Sequence, residues 1–242
     1  MPDTVIPDFV RTDLARLHLE VSEPELGQLA RYLDLLLETN EQFNLTSVRD
    51  RDQAWRRHVL DSLTLLPHLA DLAEGAGVID VGSGGGQPGV PVAITQPRLR
   101  ITLLEATGKK ARFLERCVRE LGLTQTRVVT ARAELAGQDR AHRQKYDVAV
   151  CRALGPMREV LEYLLPLVRI GGEALAMKGP TVAAEMELAG NAMAVLGGGE
   201  LEIVPAYPDG FAMDAVIVAV AKAQATPRAY PRPPGTPRHQ PL

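Results

Sequence analysis

Residues 80–89, with the sequence DVGSGGGQPG, are the part of the chain best suited to bind a ligand. Glycine lets the backbone turn sharply and lets a ligand approach without meeting a Cβ atom. The stretch follows a short β-branched run and precedes a helical pattern. The first turn of a helix presents N–H groups that have no partner within the helix. The sequence therefore predicts a nucleotide-like ligand at this loop.

Two classes of ligand fit the loop. Gly84, Gly86 and Gly89 spell GxGxxG, and Glu105 follows about 20 residues later, as in dinucleotide-binding folds that take NAD. The loop begins earlier, however, with Asp80 and a glycine at every second position, which resembles the first motif of S-adenosylmethionine (AdoMet) methyltransferases. AdoMet has an ammonium and a sulfonium but no pyrophosphate, so the Asp80 carboxylate would complement its positive end. Glu105 would bind ribose hydroxyls in either case.

The elements that position this loop alternate between β-branched runs and helix-length segments, which is typical of βαβ units and a parallel sheet. The predicted strands are residues 78–81, 101–105, 127–129, 147–151, 173–177, 202–206 and 215–220. The predicted helices among them are residues 88–95, 108–121, 156–166 and 181–196. Because the loop between the last two strands is short, they should pair antiparallel and close a seven-stranded, mostly parallel α/β sheet.

Three regions are predicted along the chain. Residues 1–72 form an N-terminal helical extension, in which Ser22 and Glu25 make a capping box and a second helix runs from about residue 52 to 66, where Pro67 ends or kinks it. Residues 73–224 form the ligand-binding domain. Residues 225–242 form a basic, proline-rich tail with three arginines and no acid, which we expect to be extended and without a core of its own.

Composition excludes several classes of protein. With 45% hydrophobic and 24% charged residues, the chain is neither disordered nor collagen-like. Cys117 and Cys151 lie outside metal-ligand spacing, so we predict buried, apolar cysteines and no metal site. The N-terminus has no continuous apolar run, which predicts a cytoplasmic protein without a membrane anchor. The net charge of −3 combines a tail of +3 with a body of −6, so an anionic partner must meet a local patch.

Six short motifs occur in one order along the chain. They are Asn44-Leu45-Thr46, His58-x-x-Asp61-Ser62-Leu63, the loop 80–89 continued to Pro91, Lys109-Lys110-x-x-Phe113-Leu114, Cys151-Arg152-Ala153 and Met177-Lys178-Gly179-Pro180. Together they resemble the bacterial small-subunit rRNA guanine-N7 methyltransferases, the glucose-inhibited division protein B family, from about residue 20 onward. The resemblance implies a class I, Rossmann-like, AdoMet-dependent enzyme that methylates N7 of one guanine of 16S rRNA, near the decoding site of the small ribosomal subunit.

The loop and the resemblance together identify candidate cofactor residues after each of the first four strands. The predicted AdoMet contacts are Asp80, Gly82, Ser83, Gly84, Gly86, Gln87, Glu105, Ala106, Thr107, Ala133, Glu134 and Arg152. One departure from the family pattern is Cys151, which stands where serine is usual.

The implied reaction makes modest demands on side chains. Guanine N7 has a free lone pair at neutral pH, so its methylation needs no deprotonation, and proximity and orientation should supply most of the acceleration. Arg152 or Lys178 is expected to contact the phosphate or O6 of the target, while Asp61 balances charge. His58 and Asp61 share a helix face, either as site residues or as a surface pair. If His58 were an obligatory base, activity would fall below its titration midpoint.

The predicted partner is 16S rRNA or the small subunit, bound by a monomer with no obligate protein partner. The candidate RNA contacts are Asn44, Arg57, Lys109, Lys110, Arg228 and Arg232. Deleting residues 226–242 should weaken RNA binding and leave AdoMet affinity unchanged. Two alternatives stay open at this point, an NAD-dependent oxidoreductase and a noncatalytic ribosome-assembly factor with a methyltransferase fold.

Overall fold

The structure, a computed structural model, describes residues 6–211 and 213–242. Across those residues, seven strands form one sheet in the order β3-β2-β1-β4-β5-β7-β6. The strands are β1 Gly77–Val81, β2 Arg100–Glu105, β3 Thr126–Thr130, β4 Tyr146–Arg152, β5 Val168–Lys178, β6 Gly198–Pro205 and β7 Val216–Lys222. β1 to β5 pair in parallel, and β7 runs antiparallel between β5 and β6. The predicted fold class is confirmed.

Strand β1 lies where the strand order reverses, with β2 on one side and β4 on the other. All five of its residues are buried, as expected for a central strand covered on both faces. In open α/β sheets, ligands bind outside the carboxyl ends of the strands at such a switch point. The glycine loop follows β1 directly, so the topology places it there.

Helices cover both faces of the sheet. They are α1 Asp8–Arg16, α2 Glu23–Asn40, α3 Arg51–Ala54, α4 Asp61–Leu63, α5 Leu66–Leu69, α6 Gly89–Thr95, α7 Gly108–Glu120, α8 Ala133–Gln138, α9 Met157–Leu164, α10 Val182–Glu187, α11 Gly190–Leu196 and α12 Thr236–His239. Helix α8 is absent from the sequence prediction, and the helix predicted over 181–196 is divided into α10 and α11. Within the described ranges, none of these helices has the length and apolarity needed to cross a membrane.

The N-terminal helices share a core with the sheet. Leu33 of α2, Trp55 and Leu103 of β2 belong to one cluster of buried side chains, which also includes residues of α6 and α7. A second cluster on the opposite face joins α9 to the sheet through Leu161 and Ala149. Residues 6–72 therefore form part of one helical layer of an αβα sandwich.

The N-terminal helices differ from the prediction at one point. The capping box of α2 is present, because the Glu25 carboxylate accepts from the Ser22 N–H at 2.7 Å. The helix predicted over 52–66 is instead interrupted by a π-helical segment, Trp55–Leu60, between α3 and α4. A π segment widens the turn and changes the direction of the side chains that follow, and such segments are frequent at functional sites. Pro67 lies in the first turn of the separate helix α5.

The C-terminal tail packs against the body of the protein and includes the short helix α12, whereas an extended segment was predicted. Pro231 and Pro237 are buried against the body of the protein, and the Gln138 amide donates to the Pro231 carbonyl at 2.8 Å. The Arg143 guanidinium donates to three tail carbonyls, those of Thr226, Pro227 and Tyr230. Proline lacks an N–H, so contacts of this kind, in which the tail supplies carbonyls, suit a proline-rich segment.

Candidate functional site

A cleft of about 710 Å³ opens at the carboxyl ends of β1 to β4, and we call it the main cleft. Its walls come from the loops that follow four strands, including Gly82, Gly84, Glu105, Ala106, Ala133 and Glu134. Leu154 and Pro156, in the loop after β4, close one side. The volume is within the range of small-molecule and cofactor sites.

Glycine is required at two positions of the loop after β1. Gly82 has φ +76°, and a Cβ atom there would lie 2.6 Å from Leu154 Cδ1. Gly89, at the start of α6, lets the helix pack against the sheet, because a Cβ atom would lie 2.4 Å from Leu103 Cδ2. Helix α2 supports the loop from outside, since the Tyr32 hydroxyl donates to the Gly85 carbonyl at 2.7 Å. The loop is therefore held in a fixed shape.

The Glu105 carboxylate lies in the middle of the main cleft. Its Oε2 accepts from the Gly84 N–H at 2.9 Å, and its Oε1 accepts from the Thr107 N–H at 2.7 Å. Each carboxylate oxygen can accept more than one hydrogen bond. The two backbone donors thus orient Glu105 and leave it able to accept from a vicinal pair of ribose hydroxyls.

Asp80 lies beneath the loop, where it is fully buried. Its Oδ2 accepts from the Gly89 N–H at 3.1 Å, while its Oδ1 has no hydrogen-bond partner within the described residues. Burial raises the pKa of Asp80 to about 7. An unpartnered, deeply buried carboxylate oxygen beneath a glycine loop is compatible with a cationic ligand above that loop.

A second cavity of about 610 Å³ lies beyond the end of β4 and reaches the N-terminal helices. Its lining includes Thr46, Arg57, His58, Asp61, Arg152 and Asp214. Arg152 is the last residue of β4, whereas His58 belongs to the π segment and Asp61 begins α4. The loop after β4 therefore separates the second cavity from the main cleft.

Arg152 is the centre of a polar cluster in the second cavity. Its guanidinium donates to Asp61 Oδ2 at 2.8 Å, to His58 Nδ1 at 3.1 Å and to the Arg57 carbonyl. The Tyr207 hydroxyl donates to the other Asp61 oxygen at 3.0 Å. Because Arg152 and Asp61 carry opposite charges, the cluster is electrically neutral when His58 is neutral.

His58 is unsuited to proton abstraction. Burial and, to a smaller extent, the adjacent Arg152 cation lower its pKa to about 4. Since Arg152 donates to Nδ1, the proton of the neutral ring is on Nε2, which donates to Thr46 Oγ1 at 2.8 Å. Thr46 Oγ1 also accepts from the Val48 N–H, so its own proton is directed elsewhere. His58 orients Arg152 and Thr46.

The loop after β4 has an unusual backbone. Ala153 has φ +53°, a left-handed conformation that costs a residue with a Cβ atom about 1–3 kcal/mol. Lys178 secures the same loop, because its Nζ donates to the Gly155 carbonyl at 2.8 Å and pairs with Glu185 at 2.6 Å. Backbone strain held in place by neighbouring side chains is typical of functional sites.

The family model of GidB, rRNA small subunit methyltransferase G, matches residues 25–208 of the chain. This chain belongs to that family. The enzyme class and the AdoMet cofactor predicted from the sequence are confirmed by this membership.

Relatives of the same family extend the match beyond those residues. A ribosomal RNA small subunit methyltransferase G from Lactobacillus johnsonii is 38% identical over 237 residues, covering 98% of this chain and 99% of the relative. One from Chloroflexus aggregans is 42% identical over 224 residues, 93% of each chain. Among solved structures, a predicted O-methyltransferase from Agrobacterium tumefaciens is similar in fold, with a TM-score of 0.54, 21% identity and coverage of 69% of this chain and 81% of that one.

Six of the residues predicted to contact AdoMet line the main cleft, namely Gly82, Gly84, Glu105, Ala106, Ala133 and Glu134. Four others belong to the glycine loop itself but are buried and line neither cavity, namely Asp80, Ser83, Gly86 and Gln87. Thr107 contributes its N–H to Glu105. Arg152, a predicted cofactor contact, lines the second cavity and not the main cleft.

Two predicted contacts disagree with the structure. Lys178 was expected to reach the phosphate or O6 of the target, but its ammonium is held by Gly155 and Glu185 and it lines neither cavity. Arg232 was expected to bind RNA, but its guanidinium pairs at 2.6 Å with Glu162, which is fully buried. A buried carboxylate without its cation would be very costly, and that requirement fixes Arg232 in place.

The other predicted RNA contacts are distributed over the surface. Asn44, Arg57, Lys109 and Arg228 are exposed. Arg57 also lines the second cavity, whereas Lys110 lines the main cleft.

Several residues of the site were not predicted from the sequence. Thr46 stands in a motif that was recognised, so its neighbour Asn44 could have directed attention to it. Tyr207 and Asp214 have no local sequence signal, because the fold brings them to Asp61 and Arg152 from the distant segment before β7. Two residues of the tail, Gly235 and Arg238, also line the main cleft, so deletion of residues 226–242 is no longer expected to leave AdoMet affinity unchanged.

Proposed function

We propose that this protein transfers the methyl group of AdoMet to N7 of one guanine of 16S rRNA in the small ribosomal subunit. The observation that carries the proposal is a polar cluster, adjoining a cofactor cleft, that offers no general base. His58 is neutral and its free lone pair accepts from Arg152, while both oxygens of Asp61 are already hydrogen-bonded. Guanine N7 needs no deprotonation, unlike an exocyclic amine.

The main cleft would hold AdoMet with its parts spread along the sheet. Glu105, after β2, would accept from the ribose hydroxyls, and the loop containing Gly82 and Gly84 would accommodate the methionine portion. Asp80 would complement its positive charge from beneath. When bound, AdoMet supplies an electrophilic methyl group on a sulfonium. The remaining work of the protein is to place the acceptor in line with that methyl group.

The second cavity would hold the target guanine. Of its two carboxylates, Asp61 is already bonded to Arg152 and Tyr207, so Asp214 is the one that would accept from the N1 and N2 donors of the base. Arg152 offers a donor that O6 could accept from, next to N7 on the same edge of the base. Because Asp61 neutralises Arg152, the pocket would not repel the methylated product.

RNA would approach across the mouth of the second cavity. Arg57 is exposed there, and a phosphate next to a flipped guanine is the natural partner of its guanidinium. Extruding a base costs a few kcal/mol, least where the base is already unpaired. This favours a guanine in a loop of 16S rRNA over one in a helix.

The experiment uses two substrates that lack the modification, small subunits and protein-free 16S rRNA. Each is incubated with the protein and with AdoMet that carries a tritiated methyl group. The expected result is label in one guanosine at which borohydride and aniline cleave the strand, because N7-methylguanosine is sensitive to that treatment. Label on an exocyclic nitrogen or a ribose would contradict the proposal. A reaction with the naked RNA alone or the subunit alone would identify the substrate form.

The same preparation distinguishes the two alternatives. Calorimetric titration with NADH should give no binding where AdoMet binds, and the opposite result would favour an oxidoreductase. Binding of AdoMet and of the subunit without methyl transfer would indicate a noncatalytic assembly factor. We also propose that the protein acts in the cytoplasm and that it is a monomer. Light scattering at micromolar concentration would test its oligomeric state.

A further inference from the structure

The C-terminal tail, residues 225–242, reaches the main cleft. Gly235 and Arg238 both line it, on the side of α8 and α9. The tail is anchored before it arrives there, by the ion pair between Arg232 and Glu162 and by Pro231, which packs where a Cβ atom on Gly137 would lie 2.6 Å away. Such an anchored segment has already lost its conformational freedom, so it can shape a binding site without a further entropic cost.

One backbone group of the tail contacts a cofactor residue directly. The Gly235 N–H donates to Glu134 Oε1 at 2.9 Å, across 101 residues of chain. Glu134 lies in the first turn of α8 and is buried. The bond occupies Oε1 and leaves Oε2 to a ligand. Gly235 has φ +88°, a conformation in which only glycine is relaxed, so this donor position depends on the residue type.

The position of Glu134 indicates which part of the cofactor it meets. Strand order places β4, β1, β2 and β3 in sequence across the cleft. The methyl group must lie near the end of β4, next to the second cavity, and the ribose at Glu105 after β2. The adenine is then expected beyond β2, where Glu134 follows β3.

We infer that the tail completes the adenine subsite, with Gly235 orienting Glu134 to accept from the 6-amino group and Arg238 forming the outer wall. This inference rests on the proposed function, because it assumes AdoMet in the main cleft. A 6-amino group is a donor, whereas the 6-oxo group of hypoxanthine is an acceptor that would face the carboxylate unfavourably. Gly235 is thus a positioning residue for adenine specificity.

Two shortened chains provide the test. A chain ending at Pro234 lacks Gly235 and Arg238 but keeps the anchors Pro231 and Arg232, while a chain ending at Arg238 keeps all of them. Calorimetry without RNA would measure the binding of S-adenosylhomocysteine and of S-inosylhomocysteine. Ending the chain at Pro234 should weaken S-adenosylhomocysteine binding about tenfold, equivalent to about 1.4 kcal/mol, and reduce the preference for it over the inosine analogue. Ending the chain at Arg238 should change neither quantity.

Thermal unfolding without ligand would show that both shortened chains fold. As a second, milder variant, Arg238→Ala should weaken S-adenosylhomocysteine binding about threefold, with Gln240→Ala as its matched control from the same exposed segment. The inference would be overturned if the chain ending at Pro234 bound both compounds as the full chain does, or, should it fail to fold, if Arg238→Ala bound like Gln240→Ala. Failure of the full chain to bind S-adenosylhomocysteine would instead contradict the proposed function.

Discussion

Arg152 donates to Asp61 at 2.8 Å, although 91 residues separate them in the chain. One residue ends a central strand and the other begins a short helix of the N-terminal layer. Their side chains are 21% and 17% exposed, so the pair is largely withdrawn from water and is screened only weakly. The contact joins the sheet that would hold the cofactor to the helices that form the second cavity.

Replacing Arg152 with lysine should lower kcat/KM for methyl transfer on the order of 100-fold. A single ammonium cannot reach Asp61, His58 and the Arg57 carbonyl together, and small misplacements at a reacting centre have effects of that size. AdoMet affinity should stay within about twofold, since Arg152 lines the second cavity. Arg169→Lys, at an Arg–Asp pair on the opposite end of the sheet, is the matched control. A large loss of AdoMet affinity in Arg152→Lys would instead indicate that Arg152 contacts the cofactor, as the sequence had predicted.

The rate of methyl transfer should be independent of the protonation of His58 between pH 6 and 8. Its pKa is lowered to about 4, so the ring is neutral throughout that interval. Initial rates at saturating AdoMet and RNA would check this. His58→Gln should reduce the rate at every pH without changing the shape of the profile. An inflection near pH 6.5 that disappears in His58→Gln would show that His58 titrates during the reaction.

Asp80 should make the protein less stable as the pH rises from about 4 to about 7. Its pKa is raised to about 7 by burial, so in this interval the native state retains a proton that the unfolded chain has released. Asp80→Asn, which keeps an oxygen for the Gly89 N–H, removes this dependence. Urea denaturation should show the variant gaining on the wild type by more than about 1 kcal/mol between pH 4.5 and pH 7.5. A constant difference across that range would contradict the raised pKa.

Replacement of Arg232 with alanine should destabilise the protein strongly, whereas the same replacement of Arg228 should hardly change its stability. Arg232→Ala leaves the fully buried Glu162 without its cation and should cost about 3–5 kcal/mol in the free energy of unfolding. Arg228→Ala removes an exposed charge, so stability should change by less than about 0.5 kcal/mol. If Arg228 contacts a phosphate, the salt dependence of RNA binding should decrease by about 0.7 to 0.9 in log–log slope. Equal stability of the two variants would show that the ion pair is not formed.

Much of the fold could be predicted because its signals are local. The strands are short runs of Val, Ile and Leu, and the loop after β1 contains glycines whose spacing reflects positive φ angles and close helix packing, as at Gly82 and Gly89. The Ser22 and Glu25 capping box is equally local. Such features depend on neighbours within a few residues, and a single sequence is enough to recognise them.

The rest depends on contacts between distant segments. Tyr207 donates a hydrogen bond to Asp61 although 146 residues separate them, and no sequence pattern near either residue predicts this contact. Lys178 is of a residue type that often binds phosphate, but it forms an ion pair with Glu185 of the next helix, α10. The π segment likewise depends on packing, since its sequence WRRHVL has the same apolar spacing as an ordinary helix.

The placement of Gly235 against Glu134 has a consequence for how the protein is made. Domains fold from the N-terminus during synthesis at about 5–20 residues per second, so the strands and the glycine loop emerge well before the tail. Gly235 lies beyond β7, the last strand, so it is synthesised only after the whole sheet. A nascent chain therefore has a folded sheet before it has a complete adenine subsite. A message interrupted just before the codon of Gly235 would still encode every strand of the sheet and the glycine loop, but the product would bind its cofactor more weakly.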